Sequence, residues 1–589
     1  MISIPDRLHL ITMRRGSGRA QASLEGREEL GGKARGLLSV HQALAEINAG
    51  DFAEIKVDIP EMTVLGASVF DAFMARNHLA EVAFSGMPDD RIANAFQRAD
   101  MPFEVLGELR TLIDLWATPL AVRSSGLLED TTHCPFAGVY LTKMIPNNQL
   151  DPDTRFQKLI EAVKFVWAST YFKIAIDYCK ATGLSIWDEK MAVVIQEVVG
   201  KRHSNRFYPE LSGVARSYNY YPVKPARPED SVVNLALGLG KTIVDGGKSW
   251  IYSPAYPHMP PPYESVQELL DETQTEFWVV NLGEPSEFNP IKETEYMQQE
   301  NLMTAERDDV LYHLASTLDP QSERLMMGTG IKGPRALTFA PLLALKDIPF
   351  NPLITRLIAS CESRLGCPVE IEFAMTFDPH RFGFLQVRPM VIPVGDLQVS
   401  TEDLVNAETL IASETVLGNG ILENIEDIVY VIPQRFNLKL TKQIADELEE
   451  HNHALLAAKR PYLLIVFGRL GTLDPWLGIP VTWGQICGAQ VIVEATQNNV
   501  KVELSQGSHY FHNIINLGVM YFSMPFTSPY RINWGWLESQ QIVNEKRYTR
   551  HIKLFEGLRI KVDGRSGRGI IIQPVTHPVS GKMTVNSDK

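Results

Sequence analysis

The segment Pro368–Met390, PVEIEFAMTFDPHRFGFLQVRPM, alternates apolar and polar residues on both sides of a central Asp-Pro-His. Alternation with a period of two marks a strand and an Asp-Pro pair marks a turn, so the spacing predicts two antiparallel strands joined by Asp378, Pro379 and His380. On the first strand Glu370 and Glu372 share a face; on the second, Gln386 and Arg388 do. Carboxylate and amide oxygens on neighbouring strands suit Mg²⁺, which prefers oxygen ligands. The same residues would also make a cross-strand Glu–Arg salt bridge. Pro389 and Pro393 stop the second strand. Just upstream, PLITRLIASCESRLG has helical periodicity and ends at Gly366, a residue suited to a left-handed cap.

Two stretches nearer the N-terminus also join apolar strand character to polar chemistry. LAVRSSGLLEDTTHCPFAGVYLTKM, Leu120–Met144, opens as a buried strand, breaks into Arg-Ser-Ser and a polar loop, and re-enters an apolar run. The guanidinium fork of Arg123 suits a phosphate; a buried ion pair with Asp130 suits the residues equally. LGGKARGLLSVHQAL, Leu30–Leu44, predicts a glycine turn running into a helix, with Lys33 near its start. Backbone N–H groups and an ammonium there can hold phosphate. The motif is not GxxxxGK[ST], and a solvated surface lysine is the plain alternative.

Composition sets the outer bounds. The 589 residues suggest about three or four domains. With 45% hydrophobic and 21% charged residues the class is ordinary and water-soluble. A net charge of -14 argues against a general nucleic-acid binder. No apolar run approaches the ~20 residues of a membrane span, and the N-terminus lacks a signal peptide's apolar core. Cys134, Cys179, Cys361, Cys367 and Cys487 show no CxxC spacing, so the expectation is a cytoplasmic protein with reduced thiols, bound neither to nucleic acid nor to membrane. A homo-oligomer is left open.

Along the chain, residues 1–28 read as a flexible basic arm containing Arg14, Arg15 and Arg19. Residues 154–179 read as one long amphipathic helix, and MAVVIQEVV, 191–199, as a central strand. LSGVARSYNY and SVVNLALGLG follow, the second ending in the glycine corner GLGKTIVDGG; residues 283–330, acidic and polar, read as helical. The pattern changes at about 395–405. Beyond it come a helix at 438–459 and the strands LLIVFG and AQVIVEA, a separate C-terminal α/β domain at 400–589.

Each signal is weak alone, but their order is specific. Gly-Gly-Lys, Val-Arg-Ser-Ser with Phe-Ala-Gly, MAVVIQEVV, SGVARS, GLG…DGG and EIEFA…FLQVRPM come in a succession that resembles the nucleotide-binding region of phosphoenolpyruvate synthases and pyruvate phosphate dikinases, over residues 29–392. The resemblance implies an α/β (α+β) ATP-grasp fold, with a first lobe at 29–200 and a second lobe carrying the metal-binding strands at 201–395. It implies ATP and Mg²⁺ as cofactors. Lys33 and Arg123 would meet the ATP phosphates, and Phe136, Ala137 and Gly138 would form a phosphate loop. Gln196, Glu197 and Val198 would lie beside adenine. Glu372 and Gln386 would hold Mg²⁺, and Arg388 would approach the transferred phosphate.

Two departures qualify it. The family usually has an acid after GLG where this chain has Lys241, and Asp245 is the candidate substitute. Full-length relatives continue into a phosphohistidine domain and a pyruvate-binding barrel, for which too little sequence remains here. The C-terminal domain then reads as a diverged phosphohistidine-type or acceptor domain. In VELSQGSHYFHNIINLGV, His509 precedes a helix-like run, where dipole and N–H groups would stabilise a phosphoryl group. Tyr510 and Phe511 replace the family's small pair, and a structural or substrate-binding histidine is the alternative. His512 could share either role, and Arg469, Asp474 and Trp476 lie in a Gly/Pro-rich loop that either lines a site or is a rigid connection. The expected function is an ATP-dependent phosphotransferase acting on a small-molecule or protein acceptor. The alternative is an ATP-binding sensor or scaffold subunit, which Lys241 and the missing barrel favour.

Overall fold

The computed structural model describes residues 10–13, 27–48, 52, 54–129, 138–261, 263, 265–345, 347–390, 392, 397–406, 408–472, 478–497, 510, 514 and 517–574. Pro368–Met390 forms the expected hairpin. Val369–Phe377 and His380–Pro389 run antiparallel, with Glu370 opposite Arg388 and Glu372 opposite Gln386. They lie inside a six-stranded sheet whose spatial order is Trp250–Tyr252, Val232–Ala236, Leu211–Arg216, Val369–Phe377, His380–Pro389 and Lys56–Asp58. The helix Phe350–Leu365 packs on this sheet and ends at Gly366, φ 70°.

A second, five-stranded sheet is ordered Leu10–Met13, Met62–Leu65, Met191–Glu197, Leu120–Gly126 and Thr142–Ile145. Met191–Glu197 is central, as its run of apolar residues predicts. Leu10–Met13 corrects the reading of 1–28 as a flexible arm throughout, because these four residues pair with Met62–Leu65 as an edge strand.

Three further expectations are revised. Residues 154–179 form two helices, Pro152–Ser169 and Lys173–Thr182, rather than one. The break occurs where Tyr171 packs on Phe70 and Phe84 and Phe172 on Phe165, so aromatic burial overrides a helical period that continues through it. Residues 283–330 are mostly strands and loops. Met297–Asn301 pairs with Glu276–Asn281, and Ala315–Asp319 pairs with Arg324–Met327 and Arg335–Leu337. Finally, the helix Gly31–Asn48 and the strand Lys56–Asp58 belong with the second lobe rather than with 29–200, since Leu37, Val40, Leu44 and Val57 share a core with Ile371 and Phe382.

The C-terminal domain is built on a nine-stranded sheet. Four strands are parallel neighbours in chain order: Gly420–Val431, Tyr462–Phe467, Ala489–Ala495 and Met520–Met524. Thr409–Ser413 and Val416–Leu417 are consecutive in the chain yet stand at opposite ends of the strand order. Ser413 donates to the Ser523 carbonyl at 2.6 Å, and the Ser523 amide to the Thr415 carbonyl at 2.9 Å, so the sheet curls until its ends meet. A single apolar cluster runs from Leu65, Phe73 and Trp167 of the first lobe to Trp483, Tyr521 and Ile571 of this domain. Polar contacts join the two as well: Lys173 pairs with Glu449 at 2.7 Å, and Arg469 donates to the Gly246 carbonyl at 2.7 Å. No helix among the described residues is long and apolar enough to cross a membrane.

The helix Thr441–Ala457 buries His451, whose Nε2 donates to Thr549 Oγ1 at 3.0 Å while that hydroxyl donates to Glu447 at 2.8 Å. Burial, then nearby Lys546 and His551, pushes the imidazole down to about 4. An unfolded chain protonates histidine near ~6.5. The stability gained from neutral His451 is therefore complete above that pH and is lost as pH falls from about 6.5 toward 4. Urea midpoints of the native chain should fall across that window more steeply than those of His451→Gln; parallel curves would refute the assignment.

Candidate functional site

The strand Leu120–Gly126 is buried except at Arg123, which is partly open. Its guanidinium spans the gap between the two sheets. Nη2 donates to Gln386 Oε1 at 2.8 Å and Glu372 Oε2 at 3.2 Å; Nη1 donates to the Leu385 carbonyl at 2.9 Å and Gln196 Oε1 at 3.3 Å. Among the described residues Arg123 meets the two residues expected to bind metal, Glu372 and Gln386; Asp130, the other partner considered, lies outside them. Planar, rigid forks suit such multidentate contact.

The two serines after Arg123 dock the helix that carries Lys33. Ser125 Oγ donates to the Leu30 carbonyl at 2.8 Å and accepts from the Ala34 amide at 3.2 Å. Lys33 Nζ donates to Ser124 Oγ at 3.2 Å and pairs with Glu129. Glycine is needed at the helix start: Gly31 has φ +71°, and a Cβ there would stand 1.7 Å from the Ser125 carbonyl oxygen. On the next turn a Cβ at Gly36 would meet the Val387 carbonyl at 2.6 Å. One helix can thus lie against both the Arg123 strand and the Gln386 strand.

Glu370 and Arg388 lie two residues along from Glu372 and Gln386, on the same face. Glu370 accepts from Arg388 Nε at 2.8 Å and from Arg216 Nε at 2.6 Å, in a buried Arg–Glu–Arg arrangement. The cross-strand salt bridge weighed as an alternative is therefore present, two residues along from the Glu372–Gln386 pair.

At the other end, Gln196 is buried, and its Nε2 finds no acceptor among the described residues. Glu197 is paired with Arg381 at 3.1 Å. Val198 packs with Ala121, Phe207, Leu239 and Val280, flanked by Met144 and Trp278. Lys241 is engaged rather than extended: it pairs with Asp245 at 2.9 Å and Glu293 at 3.5 Å and lies 5.9 Å from the Trp278 ring centre. Burial raises the Asp245 and Glu293 carboxyls, partly offset by Lys241. Asp245, proposed as the substitute acid, is thus tied to Lys241 itself. Lys143 is fully buried against Glu295, 2.7 Å, and the carbonyls of Asn289 and Pro290, so the 289–295 loop is fastened to both lobes.

Gly138 has φ 69°. Phe136, Ala137, His509, His512, Asp474 and Trp476 lie outside the described residues. The structure brings Arg123, Gln196, Glu372 and Gln386 into contact and sets Lys33 against Ser124, the residue after Arg123; Arg388 is bound to Glu370, two residues along the hairpin. Sequence reading missed Glu129, Glu293 and Arg216. Glu370 was legible from the EIE spacing; the other three depend on distant pairing.

Among the described residues no group of three or more His, Cys, Asp or Glu side chains is arranged to hold a metal. Glu372 and Gln386 nonetheless suit Mg²⁺, which shares its sphere with water and phosphate oxygens. Their two oxygens stand on directly opposed residues and already face a cation, Arg123.

Residues 27–399 match the family model described as the pyruvate phosphate dikinase AMP/ATP-binding domain, and the chain belongs to that family. Curated relatives include the phosphoenolpyruvate synthase of Aeropyrum pernix, 26% identical over 239 residues, or 37% of this chain and 25% of that protein. A probable phosphoenolpyruvate synthase of Archaeoglobus fulgidus is 25% identical over 222 residues, 34% of this chain and 26% of that protein. The matched part spans about a quarter of these relatives' length.

Proposed function

We propose that this chain is an ATP-dependent phosphotransferase that uses Mg·ATP to phosphorylate an acceptor, a small molecule or a protein side chain. The observation that carries the reading is the Arg123 fork, which joins the Gln196 strand to the Glu372–Gln386 hairpin, while Ser125 on the same strand docks the Lys33 helix. Phosphoryl transfer asks mostly for positioning and charge neutralisation, and Mg²⁺ bound at Glu372 and Gln386 would supply part of the latter. Lys33 and Arg123 are each paired with a carboxylate, Lys33 with Glu129 and Arg123 with Glu372. Lys33 and Arg123 would offer their remaining donor positions to the phosphates. Gln196 Nε2 is a spare donor for the base, and Val198 with its apolar neighbours gives the base a dry wall. His509 stands as the candidate phosphate carrier.

The second reading, an ATP-binding sensor without turnover, is favoured by one observation: Lys241 and Asp245 are committed to each other at the glycine corner. Incubation with Mg·ATP followed by phosphorus NMR separates the two. ADP or AMP formation supports the enzyme and tells which phosphate moves, and acid-labile label lost in His509→Ala supports the carrier. Tight ATP binding with no turnover in any cell extract would overturn the enzyme reading.

A further inference from the structure

Glu189 lies at the entry to the Met191–Glu197 strand, buried, with no role in the contacts described so far. Its Oε1 accepts from the Leu127 amide at 2.8 Å and the Leu128 amide at 3.3 Å. Its Oε2 accepts from the Tyr140 hydroxyl at 2.7 Å. One carboxylate therefore grips the chain where it leaves the Arg123 strand and where it returns, before Thr142–Ile145. The approach is close enough that a Cβ at Gly126 would stand 3.0 Å from both carboxylate oxygens. The neighbouring Gly126 amide donates to Glu129 at 3.0 Å, and Glu129 is the residue that holds Lys33.

We propose that Glu189 is a positioning residue for the phosphate end of the nucleotide site: by fixing Leu127, Leu128 and Tyr140 together, it sets where Glu129 and Ser124 stand against Lys33. The inference rests on the nucleotide reading above and adds a residue to it. A buried acid with only a structural duty would hold the fold without altering how the site responds to pH.

Burial, with a smaller contribution from Glu129, pushes Glu189 up to about 7, against the hydrogen bonds from Tyr140, Leu127 and Leu128. Among the described residues the titratable groups facing it are Glu129, Tyr140 and Tyr171; Cys179 acts on Tyr140 from the helix Lys173–Thr182. The ionised carboxylate can accept all these bonds, whereas the protonated acid has one acceptor position fewer.

The test is the Mg·ATP dissociation constant, measured by calorimetry from about pH 6 to about pH 8, with thermal melts to show that each variant is folded. The unaltered chain should bind more tightly at the higher pH by roughly three- to tenfold, the worth of about one hydrogen bond. Relative to it, Glu189→Gln should lose that dependence. Tyr140→Phe, a milder change, should move the midpoint upward, because the Tyr140 hydroxyl favours the ionised carboxylate. Profiles of either variant that superimpose on the unaltered chain would sink the role of Glu189 alone. Absence of any Mg·ATP binding by the unaltered chain would instead defeat the nucleotide reading, and this inference with it.

Discussion

Arg123→Lys should lower Mg·ATP-dependent turnover by at least about a hundredfold, although it keeps the positive charge. The reason is geometric. Arg123 reaches Gln386 and Glu372 with one nitrogen, and the Leu385 carbonyl and Gln196 with the other. An ammonium is a single point at the end of a flexible stem and cannot meet both pairs. The strand around it is fully buried and would remain in place, so the loss should appear in turnover and in the Mg·ATP dissociation constant with little change in the thermal midpoint. Phosphorus NMR of ATP consumption, beside calorimetric binding, measures it. A lysine variant within about threefold of the native rate would remove Arg123 from the centre of the site.

The largest stability effect should come from Glu370→Ala, with a loss of about 3–5 kcal/mol. Glu370 sits between Arg216 and Arg388 and is almost wholly excluded from solvent. Removing it takes away the carboxylate with which both guanidinium groups pair. Arg216 keeps its bond to Asn234 Oδ1, 3.0 Å, but that neutral amide does not balance a charge. The measurement is a urea titration, in which the midpoint should fall while the slope stays constant. A loss under about 1 kcal/mol would mean that solvent takes over the carboxylate's work. Replacing all three residues with apolar ones of similar volume should cost less than the single change, because no charge is then stranded.

What could be read from the sequence was the chemistry whose partners lie on one strand or on adjacent strands. The EIE spacing, a proline-bounded second strand and a two-residue alternation were enough to put Glu372 and Gln386 on neighbouring strands; their direct opposition depends on a bulge after Glu372 that the spacing does not show. The Gly-Gly-Lys turn announced a helix start for the same local reason. What escaped was pairing over distance. Lys33 and Glu129 are 96 residues apart, and nothing in either segment names the other. The stretch 283–330 looked helical because it is acidic and polar; its strands are held by partners outside it, Glu276–Asn281 and Arg335–Leu337, and by the pairing of Ala315–Asp319 with Arg324–Met327 within it. The break at Tyr171 and Phe172 escaped because their rings are drawn to Phe70, Phe84 and Phe165, which local periodicity does not record.

The apolar cluster that runs from Leu65 to Ile571 bears on the chain segment between the nucleotide lobes and the C-terminal domain. Where two domains touch weakly, a linker sets their encounter through effective concentration, and its length governs how often they meet. Here side chains of both parts share one interior, and Lys173–Glu449 and Arg469–Gly246 add polar ties. The linker is then a leash on bodies already attached. Doubling its length changes only the closure entropy, by about 0.6 kcal/mol. An insertion in that segment changes only this small term, whereas a single large-to-small exchange at Trp167 or Tyr462 strikes the shared interior itself.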